Sequence, residues 1–137
     1  MSPDSLFAEE VERIISVLRS DVPQVLVILA IPSHDKNEKE LKNQEWWANE
    51  AADMFAELYG GATAFQALVG TFKYKDKILH DRPIMVESYA QKADVEDPSN
   101  LVELLRFAKR MGKETRQAAV AIVIGNIFFT ITDFKVP

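Results

Sequence analysis

Val25-Leu26-Val27-Ile28-Leu29-Ala30-Ile31 is the stretch that decides the fold. It has no polar residue at either alternating position, so it predicts a strand covered on both faces and central in its sheet. Pro32 closes it, and a run this short falls far below the roughly 20 apolar residues that a membrane-spanning helix needs.

Towards the amino terminus, Leu6, Phe7, Val11, Ile14, Ile15 and Leu18 recur at helical spacing over residues 5–20. Ser5 stands where a cap belongs, with Glu9 and Glu10 in the early turns, and Pro23 separates this helix from the strand. Towards the carboxyl terminus, residues 32–42 are polar and aperiodic, which predicts an exposed loop. Trp47, Ala51, Met54, Phe55 and Leu58 then form a helical stripe over 43–59, and Gly60-Gly61 supplies the left-handed backbone that ends a helix. Trp46, next to Trp47, is left near the surface.

Residues 63–73 and 78–89 read as one antiparallel hairpin across Tyr74-Lys75-Asp76-Lys77, with Gly70 suited to a bulge and Pro83 to an irregularity or a free edge. Asp97-Pro98 predicts a capped helix facing inward through Leu101, Leu104, Leu105, Ala108 and Met111, with Gly112 ending it. Gly125-Asn126 joins two last strands, 118–124 and 127–134, in a tight hairpin.

The order helix, strand, helix, strand, strand, helix, strand, strand predicts an α+β fold: a ferredoxin-like βαββαβ sandwich with an added N-terminal helix and a C-terminal hairpin. With the strands numbered along the chain, right-handed crossovers give the sheet order 2-3-1-4-5 and place both main helices on one face. Residues 1–22 are expected to pack on the sheet or on a partner, and 23–137 to form a single domain. The first and fourth strands are apolar on both faces, yet the helices shield only one. The N-terminal helix together with a second copy of the chain is expected to cover the other, so a homodimer is predicted.

Composition narrows the chemistry. The chain has 137 residues and no cysteine, which removes thiolate nucleophiles and Cys-rich zinc sites and fits a cytoplasmic setting. A secretory leader is not expected from Met1-Ser2-Pro3-Asp4-Ser5. The net charge of −5 argues against nucleic acid as a partner, and no membrane association, metal or cofactor is expected.

Ile31-Pro32-Ser33-His34-Asp35, Gly60-Gly61-Ala62-Thr63, Gly70-Thr71-Phe72 and Arg110-Met111-Gly112-Lys113-Glu114-Thr115 followed by Gln117 together resemble a group of small bacterial ferredoxin-like proteins that carry a Gly-Gly-Ala-Thr motif. The resemblance spans residues 25–134 and leaves the first helix outside. It implies the fold and draws attention to Arg110, Glu114, Thr115 and Gln117, but implies no activity.

Several residues merit a functional reading beside a structural one. Thr63, with the glycine N–H groups before it, suits an anion, although glycines that follow a helix are a cap rather than a phosphate loop. Arg110, Lys113, Thr115 and Gln117 suit a small anionic ligand, whereas cations at a helix C-terminus also answer its dipole. His34 and Asp35, past the carboxyl end of the central strand, and Glu87 further along are the catalytic candidates. His80 is the only other histidine, with nothing fixing its distance from His34. The expectation is a small soluble binding or regulatory module, dimeric, recognising a small anionic ligand or a protein partner. The alternative is a small metal-independent hydrolase or isomerase using His34 with acidic residues.

Overall fold

The structure, a computed structural model, describes residues 3–19 and 24–136. Helix α1 (Pro3–Arg19) precedes strand β1 (Gln24–Ile31) and helix α2 (Gln44–Tyr59). Strands β2 (Thr63–Gln66), β3 (Gly70–Tyr74), β4 (Lys77–Asp81) and β5 (Ile84–Gln91) follow. Helices α3 (Lys92–Glu96) and α4 (Pro98–Glu114) lead to strands β6 (Val120–Ile124) and β7 (Ile127–Ile131). The result is a mixed α+β fold with an antiparallel five-stranded sheet of order β2-β5-β1-β6-β7. Among the described residues, no helix is long and apolar enough to cross a membrane.

β1 alternates as its residues require. Val27, Leu29 and Ile31 are fully buried beneath the helices, where they join Val86, Ile122, Trp47, Phe55, Leu104 and Met111 in one core. Leu26, Ile28 and Ala30 point to the opposite face and are only half-buried. Register places Tyr89, Glu87 and Met85 beside them on β5, and pairs Ile28 with Val123 of β6 and Val123 with Phe128 of β7. Tyr89 is 67 % exposed and Phe128 65 %, so this second face is an apolar surface that the chain's own helices leave open.

The expected long hairpin does not run straight through. β2 and β5 stay in the main sheet, whereas β3 and β4 form a separate two-stranded ribbon. Pro83 brings no N–H to a ladder. Its carbonyl accepts from Ala67 N at 2.9 Å, closing the base of the ribbon. Gly70 lets the two segments approach there: a Cβ at that position would sit 3.2 Å from Pro83 Cδ.

Local signals set the helix ends. Gly60 takes a left-handed φ of 93° and donates to Ala56 O at 2.9 Å, ending α2. Asp97 caps α4 by accepting from Ser99 N at 2.9 Å and from Ser99 Oγ at 2.8 Å, and these bonds hold its carboxyl below the usual value. Gly112, expected to end α4, is instead buried inside it. The left-handed turn falls on Arg116, at φ 55°, and Gln117 N closes it onto Gly112 O at 2.9 Å. α3 is a short helix that the sequence reading did not anticipate.

Candidate functional site

The carboxyl end of β1 is where polar groups gather. Ser33 and His34 emerge from the strand, and Asp81 reaches them from the end of β4. Asp81 Oδ1 accepts from Ser33 N at 2.8 Å and Arg82 N at 2.7 Å, and it also accepts from the Ser33 hydroxyl. Ser33 Oγ in turn accepts from Arg82 N at 2.9 Å and lies 2.6 Å from His34 Nδ1. A hydroxyl has one proton to give. With that proton donated to the Asp81 carboxylate, the imidazole carries its own on Nδ1 and donates to Ser33 Oγ, which leaves Nε2 as the ring's acceptor. The carboxylate behind His34 is therefore Asp81, through Ser33, with Nδ1 4.0 Å from Asp81 Oδ1.

Asp35 does other work. Its carboxylate accepts from Asn37 N at 2.8 Å and Lys39 N at 2.9 Å, and the bond from Lys39 foremost holds its pKa below the ordinary value. These bonds shape the loop into a small closed turn, with His34 bridged to Glu40 and Glu38 at φ 64°. Gln117 Nε2 donates to His34 O at 2.9 Å, and Lys36 N donates to Arg116 O at 3.0 Å. These two bonds tie the loop to the end of α4. Lys77 Nζ and Glu38 Oε2, 2.5 Å apart, tie it to the ribbon.

The structure thus brings His34 and Gln117 together and disperses the remaining candidates. Thr115 is 3 % exposed and gives its hydroxyl proton to Met111 O at 2.6 Å. Arg110 pairs with Glu114 at 3.5 Å, stacks on Trp47 and Phe107, and lines a cleft between α2 and α4 with Glu50, Asp53, Glu57 and Glu103. Those carboxylates oppose an anion at Arg110. Lys113 is exposed on α4. Thr63 pairs in register with Glu87, away from His34, and both line a shallow hollow beside Gly60 and Gly61. Among the described residues, no group of three or more His, Asp or Glu side chains is arranged to hold a metal ion.

Between the ribbon and the open sheet face lies a groove of about 380 Å³. Its floor is Ala30, Ala121 and Phe128, its ribbon wall includes Thr71 and Lys73, and Asp81 and Gln117 also line it. Concave, mostly apolar space with a few convergent polar groups is the usual form of a small-molecule site. The sequence reading assigned no role to Asp81, Ser33 or Lys73. The one local sign was Ser33 beside His34, since Asp81 arrives from 48 residues away.

No family model matches the chain, and no curated protein matches it. Solved structures do. A phage SAM lyase in complex with S-methyl-5'-thioadenosine is similar with a TM-score of 0.53 at 9 % identity, covering 83 % of this chain and 93 % of that one. A phage SAM lyase in the apo state gives 0.49 at 10 % identity, covering 83 % and 91 %. The divalent ion tolerance protein CutA1 from Ehrlichia chaffeensis gives 0.42 at 13 % identity, covering 86 % and 88 %. The first of these likenesses shows that the chain shares the α+β fold of the lyase.

Proposed function

We propose that the chain is a small ligand-binding module that works as a homodimer and takes its ligand in the groove beneath the β3–β4 ribbon. The observation that carries this reading is the groove itself: an apolar floor on the sheet, with Lys73 and Thr71 at its margin and the Gln117 amide beside it, its two N–H groups given to His34 O and Thr115 O. That chemistry suits a small molecule with an apolar body and one anionic group. Asp81, also at the margin, has one oxygen already taken by the donors of Ser33 and Arg82. In the finer classification we read the fold as ferredoxin-like and the homodimer as closing over the open sheet face.

Calorimetric titration tests the binding, with a panel of small carboxylates, nucleotides and the thionucleoside bound by the phage lyase. Ala121→Trp fills the floor and is expected to abolish binding, while Arg110→Ala leaves it intact. Binding that survives Ala121→Trp and disappears with Arg110→Ala would move the site to the cleft between the helices.

A second reading has its own observation, the His34 imidazole backed by Ser33 and Asp81. On this reading the chain is a small hydrolase or isomerase in which Nε2 of His34 takes a proton from substrate and the carboxylate steadies the resulting imidazolium. A substrate whose turnover falls with His34→Ala and Asp81→Asn, but persists in Asp35→Asn, would favour it.

A further inference from the structure

Two apolar surfaces of this chain lie uncovered, and they differ in shape. One is the open sheet face, with Leu26, Ile28, Val123 and Phe128 across its middle. The other is a helix: Phe7 is 68 % exposed, Ile14 59 % and Leu6 50 %, and these residues lie with Val11 and Ile15 along one side of α1.

Their dimensions agree. The 17 residues of α1 make a rod about 25 Å long and 10 Å wide, and five strands at their usual spacing make a face about 24 Å across. One helix laid on one sheet hides about 250 Å² on each side, short of the 1,000 Å² or so that a specific interface needs, whereas a reciprocal pair of such contacts reaches it. Charge bears on how the helix sits. Glu87 lies beside Ile28 on this face without an ion-pair partner among the described residues. Arg13 falls next to Leu6 around α1, on the flank of the stripe and one turn from Glu10, which lies between Leu6 and Ile14. An acid enclosed by an apolar contact has to find a cation.

We infer that α1 of each copy lies across the open sheet face of a second copy, in a reciprocal exchange, with Arg13 set against Glu87. This rests on the homodimer proposed above and specifies how it is built. The covered face meets the groove under the ribbon at Phe128, whereas Phe7, Val11 and Ile14 of α1, Ile28 and Glu87 do not line it, so substitutions at these residues test the exchange apart from ligand binding.

The chain has no cysteine, so introduced pairs report cleanly. Chains carrying Val11→Cys are mixed with chains carrying Ile28→Cys and oxidised mildly. A mixed disulfide between the two is expected, and its absence overturns the exchange. Sedimentation of the unmodified chain is expected at twice 15.5 kDa, and the Phe7→Ser/Ile14→Ser variant is expected to dimerise about a hundredfold more weakly or worse. Arg13→Glu is expected to weaken association and Glu87→Arg in the same chain to restore it. If the unmodified chain sediments at 15.5 kDa, the homodimer and the exchange fall together. If a dimer persists in Phe7→Ser/Ile14→Ser and no mixed disulfide forms, the exchange alone falls.

Discussion

The ring of Phe134 occupies the space that a side chain at Gly112 would need: a Cβ built there would run into Phe134 Cε1 and Cδ1. This contact, rather than a helix end, explains the glycine. Gly112→Ala is expected to destabilise the fold by about 1–3 kcal/mol through overpacking. Urea unfolding checks it, and the same substitution in a Phe134→Ala background is expected to cost much less, because the two residues act as one.

Asp81 holds the base of the ribbon to the end of β1 through donors from Ser33 and Arg82. Asp81→Ala leaves the Ser33 N–H without its acceptor, at about 1–3 kcal/mol for a group shielded from water, while Arg82 N keeps Ser33 Oγ. Faster hydrogen exchange at the Ser33 amide is the direct measurement. Unchanged exchange there would show that the carboxylate does not hold it.

Asp97 gives the chain an acid-sensitive helix end. Its carboxyl is held below 3.8, by the Ser99 hydroxyl first and the Ser99 amide second. A depressed carboxylate stabilises the folded state above its unfolded value, and that stability is lost as pH falls through the lower folded value. Wild-type protein is therefore expected to lose more stability below 3.8 than Asp97→Ala does, read from urea midpoints across that range.

Trp46 and Trp47 are neighbours with opposite fates: Trp47 is 2 % exposed and Trp46 50 %. Trp47→Ala is expected to cost about 3–5 kcal/mol and Trp46→Ala less than about 1 kcal/mol, as chemical denaturation will show.

What was legible in the sequence was local. The two-sided apolar run of β1, the αL cap at Gly60, the Asp97-Pro98 start of α4 and the Gly125-Asn126 hairpin each depend on residues a few positions apart, and the α+β class with its antiparallel sheet followed from their order. Gly112 misled because the reason for a glycine there is Phe134, which local rules cannot see. The split of the long hairpin depends on Pro83, Gly70 and Ala67 meeting, and the sequence offered only the first two as irregularities. At the site, His34 was singled out with Asp35 beside it. Its actual carboxylate, Asp81, is brought in by the ribbon, and Asp35 turns inward to shape its own loop.

Among the described residues β7 closes the sheet with one side of its backbone unpaired, and Ile127, Phe128 and Phe129 are all exposed. The strand carries neither charge nor proline, the devices by which such borders repel extended chains. Handling of the protein at high concentration is thus governed by this margin. Clumping through added strands should rise with protein concentration, and a lysine placed at Phe129 should suppress it.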